Sequence, residues 1–135
     1  MLTAIQIGAD PALLWSRAAI VETAGLRVVN AADVPQALER IRGVPFDLVV
    51  LCHSLPRAHR LQVIAATRRR NPSVPILLVG GGYGAHTAVK DGIDVVLDSE
   101  PQTLLLSLRR VLRLPEAEGA APALGARCNS AAGQA

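Results

Sequence analysis

The sequence predicts a doubly wound α/β fold, in which a parallel five-stranded sheet is covered by helices on both faces. Five short apolar runs alternate along the chain with five segments of helical periodicity. Strands joined by helical crossovers must run parallel. The run 48–51 is apolar without alternation, which is typical of a central parallel strand buried on both faces. The strand order 2-1-3-4-5 satisfies these constraints within one domain.

Five apolar runs are the predicted strands. They cover residues 2–8, 26–29, 46–52, 75–79 and 93–97. The first helix begins with Asp10 as its N-cap and Pro11 as its first helical residue, and it ends at Gly25. Asp33 and Gln36 form a capping-box pattern at the start of the second helix, which ends at Gly43.

Three further helices complete the prediction. One follows Pro56 and ends at 71–72, a short one covers 85–91, and Ser99 with Gln102 caps the last. Helical spacing of apolar residues predicts the buried faces. These residues are Leu14, Ala18 and Val21, then Ala37, Leu38 and Ile41, then Leu61, Ile64 and Ala65, and finally Leu104, Leu105, Leu108, Val111 and Leu112.

Composition narrows the classes of function. The formal charge is +3, and the arginine clusters at 68–70 and 109–110 fall near helix ends, where they complement the helix dipole. We therefore predict no nucleic-acid partner. The cysteines, Cys52 and Cys128, do not suggest a structural disulfide and fit a reducing cytoplasm. The sequence shows no signal peptide and no membrane-spanning run, so we predict a cytoplasmic protein.

The carboxyl-terminal part differs from the rest of the chain. Residues 114–135 are rich in Ala, Gly and Pro and have no periodicity. We interpret them as a disordered tail or the stub of a linker, after a domain that covers residues 1–113.

The segment 46–56, FDLVVLCHSLP, resembles the third strand of a bacterial response-regulator receiver domain. Asp10 and Pro11, followed by ALL, and the segments 74–79 and 91–94 also match at the expected places in the order of elements. The resemblance covers about residues 3–113. It implies a flavodoxin-like fold and a role in signal transduction, in a two-component or phosphorelay pathway.

The same resemblance implies a phosphorylation site at the carboxyl ends of the strands. The family uses an acidic pair that holds Mg²⁺, a phosphoacceptor aspartate, a Ser or Thr, and a Lys. In this sequence these positions fall on Gly8, Ala9, Cys52, Gly80 and Ser99, and the position of the switch aromatic falls on Val96. Magnesium requires hard oxygen ligands, and a thiol is a poor substitute. Asp47 lies five residues before Cys52, about 15 Å away along a strand, so it cannot replace the phosphoacceptor.

We therefore predict a degenerate receiver, or pseudo-receiver, that is not an enzyme, has no metal or cofactor, and acts through protein contact. The resemblance implies a histidine kinase, another regulator or a second copy as partner. Family dimers use the fourth helix, fifth strand and fifth helix. Here that face would include Lys90, Asp94, Asp98, Arg109 and Arg113, whose mixed charges suit specific pairing.

Three alternatives stay open at this point. Cys52 or His53 could serve as an unusual phosphoacceptor. The glycine-rich loop between Gly80 and Gly84 could bind a small molecule at the strand-end crevice. Cys52 could be a redox-sensitive thiol, although free cysteines are usually buried and inert.

Metal binding is not predicted. His53, His59 and His86 lack metal-ligand spacing. Asp10 and Asp98 could form an isolated acidic pair near the crevice, but they are more simply explained as solvated or helix-capping acids.

Overall fold

The computed structural model describes residues 2–80 and 89–112. Its strands are β1 (Thr3–Ile7), β2 (Arg27–Ala31), β3 (Leu48–Cys52), β4 (Ile76–Val79) and β5 (Val95–Leu97). Its helices are α1 (Pro11–Thr23), α2 (Val34–Gly43), α3 (Arg57–Arg70) and α4 (Pro101–Leu112). The strands are parallel and lie in the order β2-β1-β3-β4-β5. The predicted fold class and strand order are confirmed.

Some predictions fall partly or wholly outside the described residues. Of the helix predicted at 85–91, residues 89–91 are helical, and the rest is not described. The predicted tail at 114–135, with Cys128, also lies outside. None of the helices in the described ranges combines the length and the hydropathy needed to cross a bilayer.

The sheet separates two apolar clusters. Alternation along β1 places Ile5 and Ile7 on one face and Ala4 on the other. The first face packs against α2 and α3, and the second against α1 and α4. All five residues of β3 are buried, as the unbroken apolar run 48–51 predicts for the central strand.

Two aspartates fix the amino end of the sheet. Asp47 precedes β3, and its carboxylate accepts a hydrogen bond from the Thr3 amide at 2.9 Å while its own amide donates to the Thr3 carbonyl at 2.8 Å. Asp94 precedes β5 and makes the same pair of bonds to Ile76, at 2.7 and 2.8 Å. The Asp94 carboxylate also pairs with Arg68 at 2.8 Å. Each aspartate thus holds the first residue of a neighbouring strand.

The buried face predicted for the third helix is partly wrong. Ile64 is buried, but Leu61 is 36% exposed and Ala65 is also exposed. Polar residues share the inner face instead, because their side chains find partners there. Arg60 donates to the Leu55 carbonyl at 2.6 Å, and the Thr67 hydroxyl donates to the Val63 carbonyl at 2.8 Å.

The predicted cap of the last helix is also wrong. Pro101 is the first helical residue, so the residue before it is restricted to an extended conformation and becomes the N-cap. That residue is Glu100, not Ser99. The Glu100 carboxylate accepts hydrogen bonds from the Gln102 and Thr103 amides at 3.2 and 2.9 Å.

The first two helix caps agree more closely with prediction. The Asp10 carboxylate accepts from the Ala12 and Leu13 amides. The Asp33 carboxylate accepts from the Gln36 amide at 2.9 Å. The return bond of the capping box is displaced by one residue, because the Gln36 side chain accepts from Ala32 rather than from Asp33.

Candidate functional site

Three predicted site residues meet at the carboxyl ends of the central strands. Gly8 follows β1, Cys52 ends β3 and Gly80 follows β4; we call this group the strand-end crevice. A Cβ atom added to Gly8 would lie 3.0 Å from the Cys52 Cβ and 3.2 Å from its Sγ. Any side chain at position 8, including a carboxylate, would therefore require Cys52 to move.

Gly80 is restricted both by its backbone and by its surroundings. Its φ of +83° lies in the left-handed region that favours glycine. A Cβ atom there would lie 2.7 Å from the His53 Nδ1 and 3.2 Å from the Arg17 Nη2. The hydroxyl residue that the resemblance implies at this position would be both strained and crowded.

Arg17 is the residue that the sequence reasoning missed. It projects from α1 toward the crevice and is only 4% exposed. Its guanidinium lies against the Cys52 thiol and reaches Gly80. A cation thus occupies space at the carboxyl end of the sheet.

Part of the Arg17 charge has no partner. Its Nη1 is buried and makes no hydrogen bond within the part of the chain that the structure describes. The ion pairs of the same residues are Arg40–Glu39, Arg57–Asp91 and Arg68–Asp94, so none neutralises Arg17. Arginine stays protonated in proteins, and a buried charge without a partner carries a large desolvation cost.

The Cys52 thiol is completely buried. Burial raises the pKa of Cys52, while the hydrogen bond and the charge of Arg17 act in the opposite direction. Burial is the larger effect, so the thiol form is favoured over the thiolate near neutral pH. His53, the next residue, is exposed.

The remaining predicted positions lie around the crevice. The Ala9 amide donates to the Ser54 hydroxyl at 3.2 Å. Ser99 is exposed beyond the end of β5. Val96 is half-buried against the apolar cluster under α2 and α3.

The acids considered for cation binding have local partners. Asp10 caps α1, and the Asp98 carboxylate accepts from the Glu100 amide at 2.8 Å. Within residues 2–80 and 89–112, no three His, Cys, Asp or Glu side chains are placed to hold a metal ion. His59 is exposed on α3, and His86 lies outside these ranges.

The predicted interaction face extends along β5. Lys90 and Asp98 are exposed, Arg109 is half-buried on α4, and Arg113 lies outside the described residues. Asp94 precedes β5 at the amino end of the sheet and is paired with Arg68, while Asp98 follows β5 at the opposite end. The two acids therefore do not form one charge cluster.

Comparison with known proteins shows similarity in structure. No family model and no curated protein sequence matches the chain. The chemotaxis protein CheY4 of Vibrio cholerae superposes with a TM-score of 0.72 and 22% identity, over 82% of this chain and 98% of that chain. A CheY-like receiver domain from Methanospirillum hungatei gives a TM-score of 0.72 and 21% identity, over 84% and 94% of the two chains. The chain has the receiver fold.

The receiver fold also occurs in a protein of Burkholderia thailandensis whose name, CpaE, assigns it to pilus assembly. That protein is 26% identical to this chain, with a TM-score of 0.69 over 84% of this chain and 99% of its own. The same architecture is therefore found in neighbours with different names.

The sequence did contain a signal for Arg17. Arg17 follows Leu14 by three residues and precedes Val21 by four, so helical periodicity places all three on one face. All three are buried in the structure. A charged residue within an otherwise apolar stripe is the pattern that indicates it.

Proposed function

We propose that this protein is a receiver-like signalling module of two-component type that acts by protein contact, without aspartyl phosphorylation and without enzyme activity. The observation that carries the proposal is the content of the strand-end crevice. Gly8, Cys52 and Gly80 supply no carboxylate there, and the guanidinium of Arg17 lies among them.

This arrangement opposes the chemistry of phosphoryl transfer to aspartate. Magnesium binds through hard oxygen ligands, and its charge would be repelled by the nearby Arg17. Cys52 stands where the resemblance places the phosphoacceptor, and its thiol is buried and mainly protonated. Asp47 lies at the opposite end of β3, where its carboxylate is bonded to Thr3.

Exposed apolar residues support a protein partner. Val89 is 68% exposed just before the predicted face residue Lys90, and Leu106 is 52% exposed on α4. Val89 lies in the predicted fourth helix, and Leu106 lies in α4, which is the predicted fifth helix. The resemblance associates both helices with dimer contacts. Apolar side chains beside the charges of Lys90 and Arg109 are consistent with an interface that has an apolar centre and a charged rim. A histidine kinase, another regulator and a second copy are the proposed types of partner.

Intact-mass measurement tests the phosphorylation part of the proposal. The protein and the V. cholerae CheY4 are treated in parallel with acetyl phosphate and Mg²⁺. We expect no added phosphoryl group on this chain. A stable phosphoryl adduct on this chain, at Cys52, His53 or any aspartate, would overturn the proposal.

Light scattering tests the face for a second copy. We expect Lys90→Glu with Arg109→Glu to reduce any dimer population, while Arg69→Glu, an exposed change on α3, leaves it unchanged. A monomeric wild-type chain, or equal behaviour of the paired and control variants, would reject this face as a contact with a second copy.

The structure offers little support for a thiol sensor. A reactive cysteine needs a lowered pKa and access to solvent. Cys52 has a raised pKa and no exposed surface. We expect iodoacetamide to modify Cys52 in the native protein only at the rate of unfolding, and rapid modification would restore that alternative.

A further inference from the structure

Arg17 has a role that protein contact does not explain. Helix α1 buries its guanidinium at the strand-end crevice, where Nη1 has no hydrogen-bond partner among the described residues. We infer that the crevice binds a small oxyanion such as phosphate, with the buried guanidinium of Arg17 as its cationic ligand. This activity goes beyond the proposed function and is measured without any protein partner.

Charge is the first reason for an anion. Arginine side chains keep their positive charge in proteins, so burial is not relieved by loss of a proton. Asp10, the acid that precedes Arg17 in the chain, is otherwise engaged, because it caps α1 through the Ala12 and Leu13 amides. An anionic ligand would offset the desolvation cost that this charge otherwise carries.

Geometry is the second reason. The planar guanidinium presents parallel N–H groups, which match two oxygens of a phosphate or carboxylate. Nη2 lies beside Gly80, where the absence of a side chain leaves room for the guanidinium, and the buried Nη1 has no hydrogen-bond partner among the described residues. The crevice at the carboxyl ends of the strands is also where doubly wound folds bind ligands.

The surroundings provide additional polar groups. His53 is exposed, and its ring Nδ1 lies 2.7 Å from the position of a Cβ atom at Gly80, beside the Arg17 Nη2, so an exposed side chain adjoins the buried guanidinium. Ser54 is half-buried, and its hydroxyl accepts from the Ala9 amide at 3.2 Å, so its own O–H remains able to donate. These groups would add hydrogen bonds to an oxyanion held by the guanidinium.

Calorimetric titration of the full chain with inorganic phosphate, at constant ionic strength, tests the inference. Separate titrations with sulfate and acetate distinguish a tetrahedral oxyanion from a carboxylate. The variants are Arg17→Met, which keeps the volume and removes the charge, Arg17→Lys, which keeps the charge without the fork, and Arg69→Met as an exposed control.

We expect saturable one-to-one binding by the wild type and by Arg69→Met, and at least a tenfold loss of affinity in Arg17→Met. Arg17→Lys is expected to bind with intermediate affinity. In buffer without oxyanions, Arg17→Met should melt at the same temperature as the wild type or higher, because a buried unpaired charge has been removed.

Three results would overturn the inference. These are no saturable binding of any of the three anions by the wild type, equal affinities of the wild type and Arg17→Met, or equal losses in Arg17→Met and Arg69→Met. If Arg17→Met does not fold, Arg17→Lys decides, and an affinity equal to that of the wild type would then contradict the role of the guanidinium fork.

Discussion

Charged side chains at the two ends of the sheet differ in how completely they are paired. At the amino end, the Asp47 and Asp94 carboxylates each accept a hydrogen bond from a backbone amide of the neighbouring strand. Arg68 also forms an ion pair with Asp94. At the carboxyl end, Arg17 is buried with Nη1 unpartnered among the described residues, beside a fully buried thiol at Cys52. Charge is compensated within the chain at one end and only partly at the other.

This difference separates the residues that hold the fold from those available for function. Hydrogen bonds that the first amides of the strands donate to a carboxylate stabilise strand pairing and register. An uncompensated buried charge does not help folding and persists where a ligand or partner makes use of it. We therefore propose that the carboxyl end is the functional end, where the described residues of the crevice, Gly8, Cys52 and Gly80, carry no carboxylate.

The largest expected effect comes from pairing the buried charge. Cys52→Asp places a carboxylate against Arg17, so the single variant should fold, whereas the same change together with Arg17→Met leaves the acid unpaired. Breaking a buried ion pair costs about 3–5 kcal/mol, so we expect a double-mutant coupling of about 3 kcal/mol in urea unfolding. The matched cycle with Cys52→Asn should show a much smaller coupling. Equal couplings would mean that Arg17 carries no uncompensated charge.

The second-largest expected effect is on stability at the amino end of the sheet. Asp94→Ala removes the acceptor for the Ile76 amide and the partner of Arg68, and we expect it to lower the free energy of unfolding by about 1–2 kcal/mol. Asp94→Asn keeps an acceptor oxygen, so it should recover most of that loss, because an exposed ion pair adds little. If the free energy of unfolding falls equally in both variants, the ion pair with Arg68, rather than the hydrogen bond from the Ile76 amide, stabilises the amino end of the sheet.

A third prediction compares two glycines with positive φ. Gly25 has a φ of +93°, and a Cβ atom there would meet no described heavy atom within 4 Å. Gly25→Ala should therefore cost only backbone strain, about 1 kcal/mol. Gly80→Ala adds a displacement of His53, and we expect about 1 kcal/mol more in urea unfolding. His53→Ala should remove that excess, and its persistence would place the crowding elsewhere.

The smallest effect concerns Glu100, a solvated acid that follows β5. Hydrogen bonds from the Thr103 hydroxyl, then from the Thr103 and Gln102 amides, lower the pKa of Glu100. A lowered pKa in the folded state gives stability above the unfolded pKa, which is lost as pH falls through the folded pKa. Thermal melts of Glu100→Gln should thus lie slightly below wild type at pH 7 and converge with it in acid. A difference in melting temperature that does not change with pH would mean that ionisation of Glu100 is not its cause.

Apolar patterning predicted the framework because parallel strands and their crossover helices leave few alternatives. The unbroken run of β3, the Asp10 and Asp33 caps and the strand order are all confirmed. The apolar pattern could not place polar residues that are buried with local hydrogen-bond partners. Arg60 and Thr67 are buried on the inner face of α3, where the Leu55 and Val63 carbonyls accept their hydrogen bonds, while Leu61 and Ala65 are exposed.

The candidate site was predicted only in part. The sequence placed Gly8, Cys52 and Gly80 together, because strands β1, β3 and β4 end at the same edge of the sheet. Apolar spacing alone passes over Arg17 because the residue is charged, although it shares the buried face of α1 with Leu14 and Val21. The position of Arg17 beside Cys52 and Gly80 is a property of the assembled sheet.

The central claim is that a cation, rather than a carboxylate site, occupies the strand-end crevice. Amide NMR spectra recorded during a titration with Mg²⁺ test it most directly, with CheY4 of V. cholerae as the parallel sample. We predict that the amide resonances of Gly8, Cys52 and Gly80 show no saturable shift as the Mg²⁺ concentration rises. Saturable shifts confined to these three residues would contradict the account.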